Sequence, residues 1–336
     1  MMLGTDPHIG VIGAGAWGTA LAMLANRAGS TSTLWTRNER VLQAVLDRRE
    51  NAQYLPEIFI DPAIGITSDL EALEKCDALI VTIPAQSLRT VMISLSDIVP
   101  ASVPIVIATK GIERGSLMLM SEVIQSITPH NPIAILSGPN FAREAAAGLP
   151  TATTLATHNE AIADQLIFAL GGKFFRLYRN DDPIGTQVGG ALKNVLAIAA
   201  GIVEGRGMGE NARAAIITRG IAEMARFSRA KGGQEETLMG LSGIGDILLT
   251  CTSAKSRNYT LGETIGHHVA IVTPEAIAVR GNLTEGVATA ESVAQLARKL
   301  GVSMPIMFAV DDILSGRVAI DEAIERLLER PLGSDV

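Results

Sequence analysis

The sequence predicts an α/β fold: an N-terminal Rossmann-like domain on a mostly parallel sheet, followed by an all-helical C-terminal domain. Three observations carry that expectation. A glycine-rich turn, Gly13-Ala14-Gly15-Ala16-Trp17-Gly18, stands between a short apolar strand and an alanine-rich helix. Strand and helix signals then alternate as far as Leu177, and beyond Asp182 only helical patterns remain. The charged, proline-bearing turn Asp181-Asp182-Pro183 divides the chain into residues 1–182 and 183–336.

The first strand is Ile9 to Ile12, and its helix runs to Arg27. In that setting each glycine has a task. Gly13 permits the tight turn, Gly15 lets a pyrophosphate approach the backbone, and Gly18 lets helix pack on strand. The free N–H groups at the helix start then face the anion. The second strand, Ser32 to Trp35, ends in Thr36-Arg37-Asn38. A carboxylate for the ribose hydroxyls of NAD belongs about 20 residues past the first glycine. Arg37 stands there instead. A guanidinium can face a 2′-phosphate and stack on adenine, so the sequence leans toward NADP(H), with Glu39 close enough to serve NAD(H) if the loop bends.

Further strands are expected at Ile64–Thr67, Ala78–Ile83, Ile105–Ala108 and Ile133–Leu136, with helices from about Ser68, Gln86 and Leu117 between them. Ligands gather at the carboxyl ends of such strands. Those ends carry Pro84-Ala85, Thr109-Lys110-Gly111 and Ser137-Gly138-Pro139-Asn140, which makes Lys110 a candidate site residue. Strands at Thr153–Ala156 and Phe174–Leu177, around a helix from about Asn159, extend or edge the sheet.

The second domain opens on an apolar run, Val188 to Val203, whose polar side chains are Lys193 and Asn194. At 16 residues the run is short for a bilayer span, which takes about 20. A lysine where water is scarce gives up its proton more easily than one at the surface, and can then serve as a proton acceptor near neutral pH. Gly205 to Gly209 reads as a helix-to-helix loop, and Asn211 to Lys231 as the next helix. Asp246 is a carboxylate in the apolar run Gly240–Cys251, so two buried opposite charges are expected to pair across helices. Ser256-Arg257-Asn258 offers a hydroxyl, a guanidinium and an amide, a set suited to a phosphate. The remainder is amphipathic helix, broken at Thr284-Glu285-Gly286 and at Met304-Pro305, with a frayed end after Arg330.

Composition narrows the function classes. At 336 residues with 47% hydrophobic and 19% charged side chains, the chain can bury two cores. A net charge of −7 argues against nucleic-acid and membrane-surface partners, so an anionic ligand must be held by local cations. The two cysteines, Cys76 and Cys251, lie far apart, and the histidine pair His267-His268 does not share a helix face, so no metal site is expected. A strand reached by Ile9 without a leader, and cysteines without a framework, fit a reducing, cytoplasmic compartment.

These residues resemble the bacterial-type NAD(P)-dependent sn-glycerol-3-phosphate dehydrogenases nearly end to end. The match runs through G-A-G-A-W-G-T-A-L at 13–21, T-K-G at 109–111, S-G-P-N-F-A-R-E at 137–144 and G-A-L-K-N at 190–194. It continues in G-x-G-D-x-x-x-T from Gly243 to Thr250, S-R-N at 256–258 and E-G-V at 285–287. The resemblance implies that Lys193 is the proton acceptor, with Lys110 and Asp246 beside it in the chemistry. Lys110, Gly138, Asn140, Lys193, Asp246, Ser256, Arg257 and Asn258 would line glycerol phosphate. Beside the glycines, Ala16, Trp17, Arg37, Lys110, Ala142, Arg257, Leu283 and Glu285 would contact the cofactor. Asn140 stands where family members often carry a hydroxyl residue. The resemblance also implies a cytosolic homodimer that supplies glycerol 3-phosphate for phospholipid synthesis. Its rivals are another β-hydroxyacid-type dehydrogenase and a catalytically silent NADP-binding sensor; neither calls for Lys193, Asp246 and Ser256-Arg257-Asn258 together.

Overall fold

The computed structural model describes residues 4–267 and 285–330. The chain folds into two compact units. The first comprises Met1–Thr109 and Leu119–Pro183, the second Lys110–Met118 and Ile184–Val336.

The first unit is an eight-stranded sheet. Its early strands are β1 (His8–Ile12), β2 (Thr31–Trp35), β5 (Ile64–Thr67), β6 (Ala78–Val81), β7 (Ile105–Ile107) and β8 (Ile133–Ser137). They end with β9 (Thr151–Ala156) and β10 (Phe175–Asn180), in the order β10-β9-β8-β7-β6-β1-β2-β5. Every neighbouring pair is parallel except β8 with β9. Strand β1 lies between β2 and β6, so the chain builds outward to β5 and then returns to the other side of β1. The carboxyl ends of β1 and β6 therefore flank the topological switch point, where α/β sheets bind ligands. Ile9, Val11, Ile12, Leu34 and Ala78 to Val81 are fully or almost fully buried, as continuous apolar strands covered on both faces must be. Helix α1 (Ala16–Arg27) packs on β1 and β2, and α6 (Glu160–Leu170) starts at Asn159, whose side chain accepts the Ile162 N–H.

Several local expectations are corrected. The helix expected from Ser68 is a single 3-10 turn, Glu71–Leu73. Helix α2 (Glu39–Arg48), capped by the Asn38 side chain, and the hairpin β3 (Glu50–Asn51) with β4 (Leu55–Phe59) had no place in the sequence reading. Helices α3 (Leu88–Leu95), α4 (Met120–Gln125) and α5 (Ala142–Ala146) complete the unit. The division at 182 also needs amendment, because Lys110–Met118 packs with the second unit. Lys110 pairs with Asp246 and Arg114 with Glu291, and these contacts hold the segment there.

In the second unit the described residues form helices and no strand. They are α7 (Pro183–Gly205), α8 (Gly209–Ala230), α9 (Asp246–Cys251), α10 (Arg257–Gly266), α11 (Glu285–Leu300), α12 (Pro305–Leu314) and α13 (Ile320–Leu328). At 23 residues α7 exceeds the apolar run visible in the sequence, and by length and composition it could cross a membrane. Yet 89% of its apolar window is buried in the protein, as in a core helix. Helices α7 and α10 cross with backbones nearly touching: a Cβ on Gly201 would lie 2.1 Å from the Tyr259 carbonyl oxygen. One on Gly262 would lie 2.1 Å from that of Ile198. Glu285 and Gly286, where a helix break is expected, are the first described residues of α11; a Cβ on Gly286 would meet the Asn258 side chain at 2.5 Å. Thr284, Leu283, His268 and the tail after Arg330 lie outside the described residues.

Candidate active site

The glycine turn follows β1 as expected. Gly13 has φ +113°, which suits glycine, and a Cβ on Gly18 would sit 1.9 Å from the Gly13 carbonyl oxygen. A Cβ on Gly15 would meet nothing within 4 Å among the described residues. The carbonyls of the turn are engaged. Thr82 Oγ1 donates to those of Ile12 and Gly13, Asn51 Nδ2 to that of Ala14, and the Thr19 N–H to that of Gly15. The N–H groups of Ala14, Gly15, Ala16, Trp17 and Gly18 find no protein acceptor among the described residues. A face lined by outward N–H groups at a helix start fits a dinucleotide pyrophosphate. Trp17 also packs its ring edge against Phe175, with centroids 6.5 Å apart. Arg37 is exposed between β2 and α2, and no carboxylate pairs with it among the described residues. Glu39 is in the first turn of α2, where a helix favours negative charge.

In the second unit a buried charge cluster forms around Asp246, itself 0% exposed. Lys193 Nζ on α7 donates to Asp246 Oδ1 at 2.5 Å and to Thr250 Oγ1 at 2.9 Å. Lys110 Nζ donates to Asp246 Oδ2 at 2.6 Å. One carboxylate thus serves two ammonium groups, and the pairing across helices expected from sequence is present. Burial pushes Lys193 down from the usual lysine range to about 8; Asp246 opposes that and Lys110 reinforces it. Near neutral pH, Lys193 can therefore either give or take a proton. Asp246 follows a single turn of wide helix, Leu241–Gly245, a feature that collects at functional sites. Sequence reasoning assigned no part to Thr250, although it lies four residues after Asp246 and so on the same helix face.

Ser256-Arg257-Asn258 forms the start of α10 and not a simple polar turn. Ser256 Oγ caps the helix by accepting the Tyr259 N–H at 3.3 Å. Arg257 is exposed in the first turn. Asn258 donates to Asn194 Oδ1 at 3.0 Å and accepts the Gly286 N–H, tying α7, α10 and α11 together. Burial raises Glu285 to about 7 against the opposing pull of Lys110, Arg257 and Lys193. A carboxyl with three cationic neighbours and an exposed arginine at a helix N-terminus suit an anionic ligand.

The remaining candidates lie in the sheet unit or beyond description. Gly138 follows β8, where a Cβ would meet Thr153 Oγ1 at 2.7 Å. Asn140 Nδ2 donates to Thr153 Oγ1 at 3.1 Å, and its buried Oδ1 has no partner among the described residues. Ala142 is the first residue of α5. Among the described residues no group of three or more His, Cys, Asp or Glu side chains could hold a metal ion.

A carbonyl that receives a hydride needs a proton for its oxygen, and a dinucleotide cradle is the place for a hydride carrier. The class so defined is that of the pyridine-nucleotide-dependent dehydrogenases. Residues 8–163 match the family described as NAD-dependent glycerol-3-phosphate dehydrogenase N-terminus, and residues 182–325 match its C-terminus. The chain belongs to this family. It is 48% identical over 326 residues to a protein of Rhodospirillum rubrum named glycerol-3-phosphate dehydrogenase (NAD(P)+), covering 97% of this chain and 93% of that one. A protein of the same name from Maricaulis maris is 49% identical, covering 96% of each. The crystal structure of glycerol-3-phosphate dehydrogenase from Coxiella burnetii is similar with a TM-score of 0.91 and 39% identity. It covers 97% of this chain and 99% of that one.

Proposed function

We propose that the chain interconverts dihydroxyacetone phosphate and sn-glycerol 3-phosphate by hydride transfer with NAD(P)H, in the cytoplasm and as a homodimer, supplying glycerol 3-phosphate for phospholipid synthesis. The observation that carries this reading is the buried Lys193, held by Asp246 and Thr250 and brought to about 8, in a chain of this family. The glycine turn, with Ala16 and Trp17, would hold the pyrophosphate, while Arg37 would hold a 2′-phosphate and favour NADP(H) over NAD(H). Gly138, Asn140 and Ala142 complete the contacts expected of the sheet unit. The bound nicotinamide supplies the hydride for carbonyl reduction and accepts it in the reverse direction.

Protonated Lys193 donates to the oxygen of the forming alcohol, and neutral Lys193 takes the hydroxyl proton in reverse. Asp246 aims Lys193 and keeps its charged form accessible against the cost of burial. Lys110 adds a second positive end for the developing oxyanion. Arg257, with the hydroxyl of Ser256 and the amide of Asn258, grips the substrate phosphate and so fixes the reacting carbon.

The test follows the loss of reduced-pyridine absorbance with dihydroxyacetone phosphate, using NADPH and NADH in parallel, in wild type and Lys193→Ala. The expected result is rapid wild-type turnover that the variant loses while its NADPH affinity persists. Wild-type NADPH binding without turnover would refute the substrate assignment.

A further inference from the structure

The hairpin that follows α2 places one polar side chain in the core of the sheet unit. Asn51, in β3, is 0% exposed. Its Nδ2 donates to the Ala14 carbonyl at 2.9 Å and to Thr19 Oγ1 at 2.8 Å. The Tyr54 N–H lies on the Oδ1 side, at 3.4 Å. With the amide reversed, oxygen would face the Ala14 carbonyl oxygen, so the partners fix its orientation. Burying an amide costs free energy unless it is hydrogen-bonded, and an aliphatic side chain would fill the same space without that cost. What the amide adds is a grip on one peptide plane.

That plane is Ala14–Gly15, at the crest of the glycine turn. In a trans peptide the C=O and N–H point to opposite sides, so a carbonyl held inward sends the next N–H outward. Thr82 does this for the preceding plane by holding the Gly13 carbonyl, which aims the Ala14 N–H. At the Ala14–Gly15 plane the chain's own resistance to rotation is weak. Gly15 is tolerant of either sign of φ, so its own backbone does not fix the plane. A flipped plane would present a carbonyl oxygen to a phosphate. We infer that Asn51 is a positioning residue for cofactor binding, whose side-chain amide holds the Ala14 carbonyl and thereby aims the Gly15 N–H at the dinucleotide phosphate. The inference rests on the reading of the glycine turn as a dinucleotide cradle.

Calorimetric titration of wild type, Asn51→Asp and Asn51→Ser with NADPH and with adenosine 2′-monophosphate tests it. Aspartate keeps the shape but loses the donor hydrogens; serine is uncharged and too short to reach Ala14. Because affinity falls with the fraction of molecules in the competent arrangement, the NADPH Kd should rise about ten-fold or more. Adenosine 2′-monophosphate, which has no pyrophosphate, should bind within about two-fold of wild type, and kcat at saturating NADPH should likewise change by no more than about two-fold. A folded variant with wild-type NADPH affinity overturns the inference, as does equal weakening of both ligands, the mark of general structural damage. If aspartate prevents folding, serine decides; if neither variant folds, Asn51 is a folding residue and the inference falls. Failure of the wild type itself to bind NADPH would instead refute the cofactor reading.

Discussion

Asp246→Asn keeps the shape of a fully buried side chain and removes the charge shared by Lys193 and Lys110. Two unit charges about 4 Å apart interact by about 4 kcal/mol at an effective dielectric constant of about 20. A shift of one pH unit in a titration midpoint corresponds to about 1.4 kcal/mol. If relaxation and water entry cancel two-thirds of the Coulomb attraction, about one pH unit remains. Repulsion between the two lysines acts in the same direction, since Lys110 already lowers Lys193. The midpoint for Lys193 should therefore fall from about 8 to about 7 or below. The assay is kcat/KM for glycerol 3-phosphate oxidation against pH, which reports the free enzyme's base. In wild type the neutral form of Lys193 grows through about 8, so oxidation rises with pH while the reverse reduction declines. In the variant the plateau should drop, because Lys193 has lost its aim, and the rise should come at lower pH. A midpoint that stays at about 8 or moves upward would refute the electrostatic role given to Asp246.

Further outcomes are expected at three residues. Arg37→Ala should raise the KM for NADPH more than that for NADH, and equal losses would remove the 2′-phosphate assignment. Arg257→Ala should raise the KM for dihydroxyacetone phosphate roughly ten- to a hundred-fold, the range for loss of a charge-assisted hydrogen bond; normal kinetics would remove Arg257 from the phosphate grip. Glu223 on α8 is 2% exposed and accepts the Ile306 and Met307 N–H groups at the start of α12. Burial raises it to about 7 from 4.5, against the opposing effect of those bonds. Because the folded-state value is the higher one, the penalty on the charged form is full above about 7 and is relieved as pH falls toward 4.5. Urea unfolding across that window should show this gain in wild type and not in Glu223→Gln. Glu223→Ala should cost roughly 1–3 kcal/mol by leaving two buried donors without an acceptor.

Much of this was legible in the sequence for physical reasons. Parallel strands buried on both faces leave continuous apolar runs, so β1, β6 and β7 could be placed by composition alone. Lys193 and Asp246 stood out because a charge in an apolar run needs a partner. The remaining features depend on long-range packing. Nothing local announces that Lys110–Met118 joins the helical unit, because the ion pairs that hold it there are 136 and 177 residues away in the chain. Asn51 carries no local signal of the bond its amide makes to the Ala14 carbonyl, 37 residues back in the chain. Gly286 resembles a helix breaker, yet it supplies room for the Asn258 side chain. Ser256 was identified by its chemistry, while its capping bond required knowledge of where α10 begins.

The glycine crossing of α7 and α10 works as a ruler. Lys193 is carried two turns before Gly201, and Arg257 a little over one turn before Gly262. Because the backbones meet where a Cβ would come within 2.1 Å of a carbonyl oxygen, the interval between the Lys193 ammonium and the Arg257 guanidinium is graduated in main chain. A methyl group added at either glycine would force the helices apart by about 1 Å, since close-packed interiors cannot absorb it. On the roles proposed for Lys193 and Arg257, the length of molecule that reaches from one charge to the other is written into Gly201 and Gly262.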